Sequence, residues 1–122
     1  MPPADQIMRP NARFVQPSDP LAHAVELMRL LGVRELPVVE HGRVVGIVAR
    51  RDLEPYVGYL EWTPVRTAMT SDPITVSTDV PASDVAQILV SRHLNAVPVV
   101  SAGSLIGMIS RHDLLRLLIP SE

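Results

Sequence analysis

The chain repeats itself once, and this repeat restricts its fold more strongly than any other feature. The segment that begins at Met8 aligns without a gap to the segment that begins at Met69, an offset of 61 residues (69 − 8). The chain is therefore predicted to contain two copies of one structural unit. The coinciding positions include Val15 with Val76, Pro20 with Pro81, Leu36-Pro37-Val38-Val39 with Val97-Pro98-Val99-Val100, Gly42 with Gly103, Gly46 with Gly107, Arg50 with Arg111, and Asp52-Leu53 with Asp113-Leu114.

Each copy has the residue pattern of a β-α-β-β-α unit. A short extended piece precedes an amphipathic helix, for which an aspartate and a proline supply the start signals. Two apolar runs joined by a glycine turn predict a β-hairpin, and a second helix follows. In the first and second copy respectively, the extended piece covers 13–16 and 74–77, the first helix starts at Pro20 and Pro81, the hairpin spans 36–48 and 97–109, and the last helix runs from Arg50 toward Tyr56 and from Arg111 toward Ile119.

A unit of about 50 residues buries too little surface to be stable alone, whereas two copies can share a core. We therefore predict an α/β fold in which two pseudo-twofold related β-α-β-β-α units pack sheet to sheet. The first repeat is assigned to residues 7–60, a connector to 61–67 and the second repeat to 68–119. Three of the four aromatic residues, Tyr56, Tyr59 and Trp62, cluster around the connector, where they either cover the end of the sandwich or form an oligomer contact.

Paired motifs give the chain a family resemblance. Residues 33–39 and 94–100 each form a strand motif around a Pro-Val step, and residues 46–53 and 107–114 each run from a glycine to an Asp-Leu pair. The openings Ile7-Met8-Arg9-Pro10 and Ala68-Met69-Thr70-Ser71-Asp72-Pro73 also repeat. Together these motifs resemble the CBS (cystathionine-beta-synthase) family, from about Ile7 to Leu118. The resemblance implies a tandem CBS pair, also called a Bateman module.

The resemblance also implies a function. Such a module is a non-catalytic sensor that binds an adenosine-type ligand (AMP, ADP, ATP or S-adenosylmethionine) in the cleft between two repeats, with no required cofactor. Most members regulate an attached enzyme, channel or transporter and dimerise, so a homodimer and an unidentified effector protein are the expected partners. The alternative is a structural dimerisation module whose pocket has decayed. Catalysis is disfavoured because no arrangement of serine, histidine and acid suggests a nucleophile.

The second copy contains the complete hydroxyl-x-x-Asp element of the family signature, Ser110 and Asp113. The Asp113 carboxylate would accept hydrogen bonds from both ribose hydroxyls, and Ser110 would donate to a phosphate oxygen at the start of the helix. The alternative is that both residues only cap that helix. The predicted ligand site comprises Ile74, Val76, Ala96, Val97, Pro98, Ser110 and Asp113, with Arg50 and Arg51 contributed by the first copy.

The first copy has Ala49 where the second has Ser110, so a second site is expected to be weaker. Its Asp52 could still hold a ribose, but one phosphate donor is missing and Glu35 would repel a nearby anion. This weaker site is assigned to Arg13, Val15, Glu35, Leu36, Pro37 and Asp52, with Arg111 and His112 facing its phosphates.

Arg50, Arg51 and Arg111 all fall in the first turn of a predicted helix. Cations there are disfavoured by the helix dipole by roughly 0.3–1 kcal/mol, which is explained if an anion binds beside them. The alternative is that they are exposed side chains whose cost is small in salt.

The composition of the chain argues against several other classes of function. A net charge of −2 and an aromatic content of 3% argue against a nucleic-acid partner. The histidines have no metal-ligand spacing, and the absence of cysteine excludes thiolate sites and fits a reducing cytoplasm. No apolar stretch approaches the roughly 20 residues that span a bilayer, and the N-terminus does not resemble a signal peptide. We therefore expect a cytoplasmic protein without a metal site or membrane insertion.

Overall fold

The structure is a computed structural model that describes residues 1–120. Its mixture of helices and strands confirms the predicted α/β class. The helices are α1 (Ala4–Ile7), α2 (Leu21–Leu31), α3 (Val65–Ala68), α4 (Ala82–Ser91) and α5 (Arg111–Leu115), with 3₁₀ helices at Arg50–Tyr59 and Arg116–Leu118. The strands are β1 (Arg9–Pro10), β2 (Glu35–Glu40), β3 (Arg43–Ala49), β4 (Thr70–Ser71), β5 (Val76–Ser77), β6 (Ala96–Ser101) and β7 (Ser104–Ser110).

The chain divides into two compact units. One, the central unit, is Arg13–Pro73, and the other, the terminal unit, combines Met1–Ala12 with the segment from Ile74 onward. The predicted boundaries of 7–60, 61–67 and 68–119 follow the repeat along the chain and stay a prediction about its sequence organisation. The compact units divide the chain at different residues, because each takes in the opening segment of the other repeat.

Both units contain the predicted hairpin in the same register. In the central unit Glu35 lies opposite Ala49 in the β2–β3 pair, and in the terminal unit Ala96 lies opposite Ser110 in the β6–β7 pair. The two-residue turns contain His41 (φ 52°) with Gly42 (φ 77°), and Ala102 (φ 52°) with Gly103 (φ 84°). Two positive φ values match the twist of the paired strands, and glycine adopts them without strain.

Each unit has its own apolar core, to which the long helix, the hairpin and the shorter elements around them all contribute. Side chains at i, i+3, i+4 and i+7 of α2 and α4 produce the apolar faces of these helices, as their spacing predicts. In the central unit the buried core consists of Val15, Leu21, Ala24, Leu27, Met28, Leu36, Val38, Val48, Leu53 and Val65. In the terminal unit it consists of Ala4, Val76, Val85, Leu89, Val97, Val99 and Ile109.

The opening segment of each repeat is bonded to the helix start of the other repeat. In the terminal unit, Ala4 N donates to Val80 O at 2.8 Å and Ala82 N donates to Pro2 O at 2.8 Å. In the central unit, Val65 N donates to Asp19 O and Leu21 N donates to Thr63 O, both at 2.8 Å. These bonds satisfy backbone groups that a helix start leaves unpaired. The opening strand then pairs with the hairpin, β1 with β7 and β4 with β3.

A repeated glycine allows this close approach. A Cβ atom on Gly107 would lie 2.5 Å from Met8 Sδ and 2.8 Å from Arg9 O. A Cβ atom on Gly46 would lie 2.7 Å from Met69 Sδ and 3.0 Å from Thr70 O. The methionine of each opening therefore packs directly over a glycine of the neighbouring strand, which explains why both residue types repeat at the same offset.

The helix starts differ in detail from the prediction. Pro20 and Pro81 occupy the N-cap positions of α2 and α4, without a side-chain capping bond. Asp19 instead accepts a hydrogen bond from Gln16 N at 2.8 Å, in the turn before α2. The aspartate is used locally because its short side chain reaches its own turn more easily than the helix.

Within residues 1–120, none of the helices has the length and apolar character that a membrane span requires.

Candidate functional site

Ser110 and Asp113 form a reciprocal capping box at the start of α5. Ser110 has extended backbone (φ −108°, ψ 168°), and its Oγ accepts a hydrogen bond from Asp113 N at 3.2 Å. Asp113 Oδ2 in turn accepts hydrogen bonds from Ser110 N at 2.8 Å and from Ser110 Oγ at 3.0 Å. The box arises because β7 ends in a hydroxyl residue that is followed three residues later by a carboxylate. It brings the two predicted signature residues together.

Arg9 is a further member of this site that sequence reasoning missed. Its Nε donates to Asp113 Oδ1 at 3.2 Å, across 104 positions of the chain. The Asp113 side chain is only 5% exposed, whereas that of Arg9 is 55% exposed. Pairing of β1 with β7 places Arg9 opposite Met108, close to the junction with α5. The sequence signal that could have identified Arg9 is the opening motif Ile7-Met8-Arg9-Pro10, in which Arg9 was given no role.

The central unit has a reduced version of the same arrangement. Asp52 Oδ2 accepts a hydrogen bond from Ala49 N at 2.9 Å, the counterpart of the Ser110 backbone bond. Ala49 has no hydroxyl, and the residue that corresponds to Arg9 is Thr70, which has no charge. The Asp52 carboxylate therefore lacks the two other donors that Asp113 has, and it is less deeply buried.

The three arginines at the helix starts have different surroundings. Arg111 Nε donates to Leu94 O at 2.8 Å, and its Nη2 donates to Leu89 O at 3.2 Å. These carbonyls lie in and just after the last turn of α4, where a cation is favourable, so Arg111 has a structural explanation that needs no bound anion. Arg50 and Arg51 are exposed and form no side-chain hydrogen bond or ion pair with residues 1–120.

The other residues of the predicted main site all lie in the terminal unit, apart from the two arginines. Val76 and Val97 belong to its apolar core, so their side chains are already packed. Ala96 and Pro98 are also buried, but they alternate with Val97 along β6 and therefore lie on the opposite face of the strand. Ile74, in the loop before β5, is half-buried.

The central unit brings together most of the predicted weaker site. Val15 N donates to Pro37 O at 3.1 Å, and Glu35 lies opposite Ala49, three residues before Asp52. Leu36 is buried in the core, and Arg13 is exposed at the start of the unit. Arg111 and His112 belong to the terminal unit, where both are exposed.

The connector aromatics do not share one environment. Tyr56 is half-buried against the core of the central unit, whereas the side chains of Tyr59 and Trp62 are 64% and 82% exposed. Covering the core therefore accounts for Tyr56 alone. Among residues 1–120, no three histidine, cysteine, aspartate or glutamate side chains come together as a metal cluster.

A model of the CBS domain matches the chain twice, over residues 4–57 and 65–120. The chain therefore belongs to the CBS-domain family, as the paired motifs indicated. Both matched segments contain one hairpin and the helix that follows it. Each also begins with the opening segment that the structure places in the unit of the other repeat.

Similar proteins include whole enzymes and small CBS proteins. The chain is 37% identical over 100 residues to inosine-5'-monophosphate dehydrogenase of Korarchaeum cryptofilum, covering 81% of this chain and 21% of that protein. It is 32% identical over 97 residues to an A-adding tRNA nucleotidyltransferase of Geobacter sulfurreducens, covering 79% of this chain and 11% of that protein. The chain thus spans about a fifth or less of the length of these two relatives. The CBS domain-containing protein YhcV of Bacillus subtilis is 26% identical, with coverage of 88% and 79%.

Solved structures share the fold over almost the whole chain. CBSX2 in complex with AMP superimposes with a TM-score of 0.86 at 26% identity, covering 97% of both chains. The structure of CBSX2 from Arabidopsis thaliana gives a TM-score of 0.87 at 26% identity, with coverage of 96% and 94%. These comparisons show a CBS-pair fold.

Proposed function

We propose that this chain is a regulatory module that binds an adenosine-type ligand (AMP, ADP, ATP or S-adenosylmethionine) and catalyses no reaction on it. The observation that carries the proposal is the complete Ser110–Asp113 element, in a chain whose fold matches that of an AMP complex over 97% of its length. A buried carboxylate is suited to accept hydrogen bonds from the hydroxyls of a ribose.

The proposal gives roles to Asp113, to two residues of β6 and to two exposed arginines. Asp113 accepts from the ribose, and the backbone of Ala96 and Pro98, on the strand face away from the core, lies beside the adenine. Arg50 and Arg51 are the assigned phosphate ligands, since they are exposed cations whose donors are not used by residues 1–120. A homodimer, an effector protein and a cytoplasmic location complete the proposal and stay predictions.

A second candidate is a structural module that binds no ligand. The capping box and the Arg9 ion pair favour it, because they explain why Ser110 and Asp113 are present without any ligand. Ala49 supports the same interpretation for the central unit.

Thermal unfolding with a panel of adenosine, AMP, ADP, ATP and S-adenosylmethionine separates the two candidates. A ligand present at 100 times its dissociation constant raises the free energy of unfolding by about 2.7 kcal/mol, which is a clear shift of the midpoint. Asp113→Asn keeps the size of the side chain and removes its charge, and it is expected to abolish most of that shift. Asp84→Asn, at an exposed aspartate in the first turn of α4, is the matched control. No shift with any ligand would support the structural module.

Absence of turnover is tested with the same ligands. The pure protein is expected to leave ATP and AMP intact over hours, as followed by chromatography. Sustained hydrolysis that Asp113→Ala abolishes would contradict the regulatory assignment and indicate an enzyme.

A further inference from the structure

The ion pair between Arg9 and Asp113 is a contact in the candidate site that helix capping does not explain. We infer that Arg9 is a specificity-determining residue, which must leave the Asp113 carboxylate when a ribose binds and thereby favours phosphorylated adenosine ligands over adenosine. This inference rests on the proposed function, because it concerns the same carboxylate.

Both oxygens of Asp113 already have donors. Oδ2 accepts from Ser110 N and Ser110 Oγ, at 2.8 and 3.0 Å, and Oδ1 accepts from Arg9 Nε at 3.2 Å. A ribose that donates both hydroxyls to this carboxylate needs acceptor capacity on at least one of these oxygens. The side chain is only 5% exposed, so little of the carboxylate can be approached while all three donors stay in place.

Of the three donors, Arg9 is the one that can leave most easily. The two Ser110 bonds belong to a tight turn that also caps α5, so breaking them would cost part of that helix. Arg9 contacts Asp113 through a long side chain that is 55% exposed, so its guanidinium is already partly hydrated and loses little by moving into solvent. The guanidinium can swing into solvent without moving β1, whose backbone is held by its pairing with β7.

The charge of the ligand decides what happens to the displaced guanidinium. Adenosine is neutral, so binding it exchanges an ion pair for neutral hydroxyl donors and leaves Arg9 without an anion. AMP carries a phosphate on the same ribose, and arginine forms strong, often bidentate bonds with phosphate. Displacement is therefore a net cost for adenosine and is offset for AMP.

The other repeat shows that the opening strand forms without a cation at the position of Arg9. Thr70 stands at the position of Arg9 in the other opening segment, and it pairs opposite Ile47 as Arg9 pairs opposite Met108. The opening strand thus forms with threonine at this position, so the fold does not require a cation there. Arg9→Thr is consequently a substitution that the architecture already accommodates.

Calorimetric titration of adenosine and AMP into the wild type, Arg9→Thr and Arg92→Thr tests the inference. Arg92 is an exposed arginine at the end of α4 that forms no side-chain bond with residues 1–120, so its removal controls for the loss of one charge. Arg9→Thr should bind adenosine on the order of two- to fivefold more tightly than the wild type. This is the range expected when binding no longer has to break an ion pair whose arginine is partly exposed. AMP should not gain, and Arg92→Thr should match the wild type for both ligands.

A salt titration of the unaltered protein gives an independent measurement. Screening weakens the ion pair, so adenosine affinity of the wild type should rise between low and high NaCl, whereas that of Arg9→Thr should stay flat. Thermal unfolding establishes that the variant is folded, and Arg9→Gln replaces it if the threonine variant is not.

The outcomes separate the two proposals. If the wild type binds AMP but Arg9→Thr leaves the affinities for adenosine and AMP unchanged, the role of Arg9 is refuted and the ligand site stands. If adenosine and AMP both tighten equally in Arg9→Thr, Arg9 blocks the site without selecting for phosphate, which also overturns the inference. If neither the wild type nor any variant binds adenosine or AMP, this inference fails, and the proposed function fails with it only if ADP, ATP and S-adenosylmethionine also give no shift in thermal unfolding.

Discussion

The central and terminal units share the hairpin, the long helix and the paired opening strand, and they differ at the junction between the hairpin and the helix that follows it. Both have the same hairpin register, the same pair of left-handed turn residues and the same methionine over a glycine. At the junction, Ser110 corresponds to Ala49, and Arg9 corresponds to Thr70. Because the central unit forms its hairpin without the hydroxyl and the cation, those two groups are not needed for the architecture. The comparison therefore points to the terminal unit as the better candidate for ligand binding.

The arginines at the helix starts differ between the units in the opposite sense, because those with donors that residues 1–120 leave unused lie in the central unit. Arg111 is bonded to two carbonyls of the terminal unit, whereas Arg50, its counterpart in the repeat, has no such bond within residues 1–120. Cations at the helix starts thus have unequal freedom to bind an anion, and this freedom is greater for Arg50 and Arg51 than for Arg111.

The largest expected difference is in ligand affinity. Asp113→Ala should weaken AMP binding on the order of ten- to a hundredfold, the loss expected for a carboxylate that accepts from two hydroxyls. Asp52→Ala should cost less, because its unit lacks the complete element. Calorimetric titration measures both affinities. Equal losses would remove the asymmetry between the units, and unchanged binding in both would mean that the aspartates are helix caps alone.

The glycine contacts are expected to matter in both units, but not equally. Gly107→Ala forces a Cβ to within 2.8 Å of Arg9 O, a backbone atom that cannot move aside as a side chain can, whereas Gly46→Ala brings it to 3.0 Å of Thr70 O. Gly107→Ala should lower the free energy of unfolding by about 1–3 kcal/mol, and Gly46→Ala by less. Urea denaturation compares them. Gly58→Ala is the control, since a Cβ there meets nothing within 4 Å, and a similar loss at Gly58 would contradict the packing explanation.

Exchanging the residues at positions 49 and 110 measures how much a hydroxyl at the junction between hairpin and helix contributes to stability. Ala49→Ser adds the missing hydroxyl to a backbone (φ −105°, ψ 155°) close to that of Ser110, so it should raise the free energy of unfolding by about 0.5–1 kcal/mol. Ser110→Ala should lower it by about 1 kcal/mol. Both are measured by denaturation without ligand, with Ser83→Ala as the control at an exposed serine of α4. A loss from Ala49→Ser would show that the two junctions are less alike than their backbones.

The smallest expected effect on stability comes from an ion pair that α2 contains and α4 lacks. Glu26 and Arg29 form an ion pair on α2, with 2.6 Å between Oε1 and Nη2, and the hydrogen bond from Arg29 lowers the pKa of Glu26. The corresponding residues of α4 are Gln87 and Val90, which cannot form such a pair. A lowered carboxyl pKa stabilises the folded state above the ordinary pKa, and this contribution disappears as the pH falls through the lowered value.

Arg29→Ala should therefore be slightly less stable than the wild type at pH 7 and equal to it in strong acid, in thermal unfolding at a series of pH values. Both side chains of the pair are exposed, so the difference is also expected to shrink in high salt. A difference that persisted in strong acid would have to come from packing, from helix propensity or from the favourable position of the Arg29 charge in the last turn of α2.

Much of the fold was predictable because its signals are local or periodic. Apolar runs on either side of Gly42 and Gly103 specify the hairpins, and the helical spacing of apolar residues specifies α2 and α4. The Ser110–Asp113 box was also readable, since three residues separate its members. The aspartate ahead of Pro20 was expected to help start α2, but it does not cap that helix, because its short side chain bonds within the preceding turn instead.

The sequence by itself thus determined the repeat, the order of elements within each copy, the family and the inequality between Ser110 and Ala49. Only the tertiary structure decided which unit each opening segment joins, and with it the pairing of Arg9 with Asp113 and the bonds of Arg111 to carbonyls of the preceding helix end. The physical reason is that these contacts join residues between 17 and 104 positions apart, so they leave no periodicity in the chain. They form only when strand pairing and close packing over a glycine bring the two segments together.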